Sequence, residues 1–216
     1  MKKLTNKFLA AYTARHIHSP NWLSRLIISW TRPPRRVYID CGSNIAQVMA
    51  SRIKQGSEAE FYAFEPQPEL AHRVDALRAQ YPQLPIHFFN KAVWISDGVI
   101  DFYLAEPGPT SRGGSTALLG KKTNNIDYLH PIAVQSIDFS RWVRKTFRRT
   151  DHLIVKMDIE GAEYPVLERM VADGTIDYID ELIIEFHWER IATMSEERHS
   201  ALMASLKGRV SITDWL

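Results

Sequence analysis

Apolar runs alternate with helical stripes along most of this chain. "RVYIDCG" (36–42) is a short apolar run entering a turn. "NIAQVMASRIKQG" (44–56) then carries Ile45, Val48, Met49 and Ile53 at helical spacing, with Gly56 placed to close the helix. The unit recurs. "EFYAFEP" (60–66) predicts a strand ending in an acid and a proline, "PELAHRVDALRAQYP" (68–82) a helix with Leu70, Val74 and Leu77 on one face, and "IHFFN" (86–90) a third strand. In "AVWISDGVIDFYLAE" (92–106) two β-rich runs flank Ser96-Asp97-Gly98, which predicts a β-hairpin. A polar loop with Gly113 and Gly114 follows, then a strand in "IAVQSIDF" and a basic helix in "SRWVRKTFRR". "HLIVKMDIEG" predicts a buried strand, "YPVLERMVADG" a helix closed by Gly174, and "ELIIEFHW" another buried strand. "SEERHSALMASLKG" and "RVSIT" supply a last helix and strand. Strands that are apolar throughout, alternating with helices, imply a mainly parallel sheet covered on both faces: an α/β, Rossmann-like, doubly wound fold with an added hairpin.

Ahead of this lies a different kind of segment. "SPNWLSRLIISW" (19–30) predicts a helix with Ser19 as N-cap, Pro20 at the first helical position and an apolar stripe from Trp22 to Trp30, ended by Pro33 and Pro34. The division expected is a basic helical extension, 1–36, and a second domain, 37–216.

Charge sharpens that division. The 216 residues carry a net charge of +2, yet residues 1–39 hold eight of the 27 Lys and Arg and no acid, leaving 19 basic against 25 acidic residues beyond. A basic segment beside an apolar stripe fits a helix lying on an anionic membrane, or packing against the sheet domain or a second subunit in a homodimer. One cysteine, Cys41, excludes an internal disulfide framework and a Cys-based zinc cluster. No apolar run reaches the ~18 residues of a membrane span. The amino-terminal stretch is broken by Asn6, Lys7 and Arg15, too soon for a signal peptide, so a cytoplasmic protein is expected, in peripheral contact with a membrane if the basic helix acts there.

Ligands of open α/β sheets sit beyond the carboxyl ends of the strands. The residues expected there are Asp40-Cys41-Gly42-Ser43-Asn44, Glu65-Pro66, Asn90-Lys91-Ala92, the run Asp158–Glu163, and Glu185-Phe186-His187. The first turn, "DCGSNIA", lacks the G-x-G-x-x-G that brings amides to a pyrophosphate. Its acid, Asp40, expected to face the site, suits a ligand carrying positive charge. Glu65 stands where a carboxylate accepts both hydroxyls of a ribose. A cationic ligand with a ribose is S-adenosylmethionine. Its sulfonium and ammonium would also offset the mutual repulsion of Asp158, Glu160 and Glu163 in "KMDIEGAE", with Lys156 assisting; alternatively Glu163 merely favours a helix N-terminus.

"VYIDCGSNIA", "YAFEPQP", "NKAVWISDGVIDFYL", "GGSTALL", "VQSIDF", "VKMDIEGAE" and "ELIIEFH" together resemble, in order and spacing over about 37–190, the FkbM family of S-adenosylmethionine-dependent methyltransferases. The resemblance implies a class I methyltransferase fold and methylation of a hydroxyl, on a sugar, a glycan or a natural product. One position departs: Ala46 stands where the family has glycine, which is tolerable if only close packing is required there. The expected donor-binding residues are Asp40, Gly42, Ser43, Asn44, Glu65, Pro66, Asn90, Ala92 and Asp158. For removing the acceptor proton, His187 has the suitable range, with Asp158 and Glu160 as alternatives. Ser115, Thr116 and Glu163 are expected near the acceptor, the first two on a lid formed by the Gly113-Gly114 loop. Asp158, Glu160 and His187 are also hard metal ligands, but their spacing demands no metal and none is assigned. Two other classes compete: an NAD(P)- or nucleotide-sugar-binding oxidoreductase, disfavoured by the missing glycines, and a non-catalytic adaptor using the basic extension.

Overall fold

The computed structural model describes residues 33–106, 113–122 and 126–214. The helix expected at 19–30, and most of the basic extension with it, lies outside the described residues. Nine strands are described: β1 (Arg36–Cys41), β2 (Glu60–Phe64), β3 (Ile86–Phe89), β4 (Ala92–Trp94), β5 (Gly98–Phe102), β6 (Ile132–Asp138), β7 (His152–Met157), β8 (Glu181–Ile184) and β9 (Ser211–Asp214). Five α-helices join them: α1 (Gln47–Lys54), α2 (Ala71–Gln80), α3 (Phe139–Thr146), α4 (Glu163–Ala172) and α5 (Glu196–Leu206).

Six strands form one sheet in the order β3-β2-β1-β7-β8-β9, every neighbouring pair parallel. The chain runs outward from β1 to β3, then returns to β7 on the other side of β1 and runs outward to β9. Strand order therefore reverses between β1 and β7, where an open α/β sheet leaves its crevice.

Both faces are covered, which is why the strands read as continuous apolar runs. On one face Tyr38, Phe61 and Ala63 pack with Met49 and Ile53 of α1 and Val74 and Leu77 of α2. On the other, Val37, Ile39, Phe64 and Val155 pack with Val143 of α3, Leu167 and Met170 of α4, and Leu202 and Leu206 of α5. Helix starts follow their caps. Asp138 accepts from the amide of Arg141 at 2.9 Å to begin α3, and Ser195 accepts from Arg198 at 3.3 Å to begin α5. Gly174, with φ of 74°, supplies the left-handed residue just beyond α4.

The expected hairpin is not formed. β4 and β5 flank the Ser96-Asp97-Gly98 turn but do not pair with each other; β6 lies between them, parallel to β4 and antiparallel to β5. Ser136 is the register partner of both Ala92 and Gly98. The turn is thus wide enough to straddle a third strand, and its polar groups tie down that strand. Asp97 Oδ1 accepts from the Asp138 amide at 2.8 Å, Ser136 Oγ donates to Ser96 O at 3.0 Å, and Arg141 pairs with Asp97. A turn signal fixes a reversal of direction, not which strand fills the space between its arms.

Candidate active site

The carboxyl ends of the central strands are laced together. Asp158 N donates to Cys41 O at 3.1 Å, Gly42 N to Phe64 O at 3.0 Å, Glu65 N to Phe89 O at 3.1 Å, and Glu185 N to Met157 O at 3.1 Å. A pocket opens over this edge at the switch between β1 and β7. Gly42, Asn44, Glu65, Pro66 and Gln67 form one wall; Ala92, Val93 and Phe102, the Gly113–Ser115 loop, and Asp158, Ile159 and Glu160 form the rest.

The first turn is built for close approach. Gly42 has φ of 76°, and a Cβ there would lie 2.0 Å from the carbonyl oxygen of Asp158. Glu65 is almost wholly buried. Its Oε2 accepts from Asn44 N at 2.8 Å, and its Oε1 accepts from Gln67 N at 3.0 Å and Gln67 Nε2 at 3.2 Å. Burial pushes its carboxyl pKa up, against the pull of those hydrogen bonds. Ser43 Oγ, Asn44 Oδ1 and Gln67 Oε1 are buried without a hydrogen-bond partner. Asn90 is placed differently from expectation: its Nδ2 donates to Glu65 O at 2.8 Å, bracing the strand end instead of facing the pocket.

Asp40 requires a correction. It lies beneath the site, fully closed to solvent, with Lys156 Nζ 3.4 Å from Oδ1. Because β1 is buried on both sides, its apolar run hid which face each residue takes; Asp40 shares Tyr38's side, while Ile39 and Cys41 point to the other core. Lys156 also donates to Gly42 O at 2.8 Å and stands 3.3 Å from Asp158 Oδ2. It cross-links the two loops on either side of the switch.

The 158–163 loop turns on Glu163. That side chain is completely buried and does not reach an acceptor. Its Oε1 accepts from Ile159 N and its Oε2 from Gly161 N, both at 2.8 Å, while His187 Nδ1 lies 3.1 Å from Oε1. The carboxylate thus begins α4 and shapes the loop ahead of it. Asp158 and Glu160 are left on the pocket wall. Glu160 has φ of 58°, and its Oε2 pairs with the buried Nζ of Lys121, which also donates to Gly114 O at 2.8 Å.

His187 also departs from expectation. At 1% exposure it sits behind the wall, its Nε2 3.2 Å from Glu160 Oε2, 3.4 Å from Glu185 Oε1 and 3.9 Å from Asp158 Oδ1. Burial works to lower its pKa, but Glu163 first, with Glu160 and Asp158, outweighs that and raises it. It positions the carboxylates; the groups that face the pocket are Asp158 and Glu160.

Of the expected acceptor-side pair, Ser115 lines the pocket, its Oγ accepting from Ala105 N at 3.0 Å. Thr116 is a clasp. It is fully buried, its Oγ1 donating to Glu160 O at 2.8 Å and accepting from Leu118 N at 3.0 Å. Lys121 was missed because its partner lies 39 residues away and the sequence around it reads as a polar loop.

Residues 40–209 match the family model of the methyltransferase FkbM domain. The chain belongs to the FkbM methyltransferase family. Parallel searches of curated proteins and of solved structures returned no match. Ala46, expected to be tolerated if only close packing mattered, has a left-handed backbone, with φ of 58° and ψ of 23°. More than close packing is required there, contrary to expectation, and alanine carries a strain on the order of 1–2 kcal/mol. Among the described residues, the non-glycine positive φ angles belong to Asn44, Ala46 and Glu160, all in the loops that surround this FkbM pocket.

Proposed function

We propose that this methyltransferase uses S-adenosylmethionine as donor and methylates a hydroxyl group, on a sugar of a glycan or on a natural product. The observation that carries the donor assignment is Glu65, a buried carboxylate on the pocket wall at the end of the second strand. Three N–H groups leave part of its acceptor capacity unused, which suits the vicinal hydroxyls of a ribose. The partnerless Asn44 Oδ1 and Gln67 Oε1, both of residues that line the pocket, fit the same polar ligand, since buried polar atoms normally find partners.

Gly42, Asn44, Glu65 and Gln67 would hold the donor, with Pro66 and Ala92 lining its place. When bound, S-adenosylmethionine supplies an electrophilic methyl group on a sulfonium. The chain's part is alignment and deprotonation. Alignment of an acceptor oxygen against a fixed partner lowers a barrier by about 7–11 kcal/mol when it is good. The hydroxyl proton passes to a carboxylate oxygen of Asp158 or Glu160, both on the pocket wall, for roughly 10²–10⁴-fold in rate. Lys156 and Lys121 hold those carboxylates in place.

The test is to incubate the full chain with methyl-labelled S-adenosylmethionine and mixtures of oligosaccharides, and to locate the label by mass spectrometry. Methyl ethers should form with the wild-type chain and fall about a hundredfold with Asp158→Asn or Glu160→Gln. Label on nitrogen or carbon alone would contradict the hydroxyl assignment.

A further inference from the structure

Four carboxylates meet around one buried imidazole. Asp158, Glu160, Glu163 and Glu185 all have an oxygen within 3.9 Å of a His187 ring nitrogen. Two buried lysines answer part of that charge, Lys121 at Glu160 and Lys156 at Asp158, while Arg190 at Glu185 is half-exposed. Glu163 takes Nδ1 and thereby sets the tautomer, turning the other ring nitrogen toward Asp158, Glu160 and Glu185. That Nε2 is buried and makes no hydrogen bond. Three carboxylates facing one ring nitrogen repel one another unless positive charge, a ring proton or a bound cation, lies among them.

We infer that Asp158, Glu185 and His187 form a binding site for one divalent metal cation, next to the pocket. One atom from each of the three falls within 4.8 Å of the others. Ligands about 2.0–2.2 Å from a common ion lie roughly 3–4 Å apart, so small side-chain rotations close the set. The donor types are an imidazole nitrogen and carboxylate oxygens, the set that suits Mn²⁺ and its neighbours. A ligating histidine characteristically gives its other N–H to a carboxylate, and Glu163 already stands there. Asp158 Oδ2 faces Lys156 while Oδ1 faces His187, so one oxygen is directed at the ion's place. The sequence offers Asp158 and His187 as hard ligands but not Glu185 with them; Asp158 follows β7 while Glu185 and His187 follow β8, and the pairing of those strands brings the three together.

The consequence for catalysis rests on the methyl-transfer proposal: an ion held by Asp158 would border the acceptor and help an alcohol lose its proton. Binding of the ion does not rest on it.

The experiment is titration of the full chain with Mn²⁺ alone, without any methyl donor, followed by loss of the free-ion electron paramagnetic resonance signal. Expected are one ion per chain, spin-echo modulation from one imidazole nitrogen, and at least about tenfold weaker binding in Glu185→Gln and in Asp158→Asn. Glu168→Gln, at a carboxylate paired with Arg198 and not with His187, should bind as the wild type does. No saturable binding at millimolar Mn²⁺, or binding that both Glu185→Gln and Asp158→Asn leave unchanged, would overturn the site and leave the donor assignment untouched.

Discussion

Glu163 Oε1 lies 3.1 Å from His187 Nδ1, and neither side chain is exposed to solvent. The first residue of α4 is thereby joined to the loop that follows β8, and the same carboxylate anchors the amides of Ile159 and Gly161. The acidic loop "DIEGAE" is therefore not three equivalent charges. Its last acid is the internal fastening that lets the first two reach the pocket.

Glu163→Ala should be among the most damaging single substitutions in the chain. It leaves two amides without acceptors and His187 Nδ1 without its carboxylate partner, a loss of about 3–5 kcal/mol. Urea unfolding followed by circular dichroism measures it. A loss under about 1 kcal/mol would mean that Glu163 does not anchor the loop.

Lys156→Met should make stability depend on pH through Asp40. Burial already pushes the Asp40 carboxyl pKa up, with Lys156 opposing. Without the lysine the folded-state pKa rises further above the unfolded value of about 3.9. A group raised in this way contributes stability that is full below the unfolded pKa and is lost as pH rises through the folded pKa. Unfolding midpoints of Lys156→Met should fall from about pH 4 upward, and adding Asp40→Asn should flatten that slope. The same slope in the double variant would show that Asp40 is not what Lys156 compensates.

Much of this arrangement was legible in the chain itself. The parallel sheet follows from strands apolar on both faces, and the places of Gly42 and Glu65 on the pocket wall follow from their positions at strand ends. The same double burial concealed the side taken by Asp40, because period-two alternation vanishes when both faces are covered. The insertion of β6 between β4 and β5, the reach of Lys121 to Glu160 and the depth of Glu163 and His187 depend on contacts across 24 to 41 residues, which local pattern does not encode.

Gly42→Ala and Gly174→Ala separate backbone strain from close approach. Both glycines are left-handed, at φ of 76° and 74°, but a Cβ at Gly42 meets the Asp158 carbonyl at 2.0 Å while one at Gly174 meets nothing within 4 Å. Gly174→Ala should cost only the conformational strain, about 1–2 kcal/mol. Gly42→Ala should cost clearly more, as a larger fall in melting temperature at about 2–4 °C per kcal/mol. Equal falls would mean that the β1 turn and the β7 loop are not in contact.

The most direct measurement is calorimetric titration of S-adenosylhomocysteine into the wild-type chain and into Glu65→Ala, each checked for an intact fold by circular dichroism. One site per chain is expected in the wild type. Loss of the buried carboxylate at Glu65 should weaken binding by about 1.5–3 kcal/mol, a factor of roughly ten or more. Undiminished affinity in a folded Glu65→Ala chain, or no binding by the wild type, would contradict the placement of the methyl donor in this pocket.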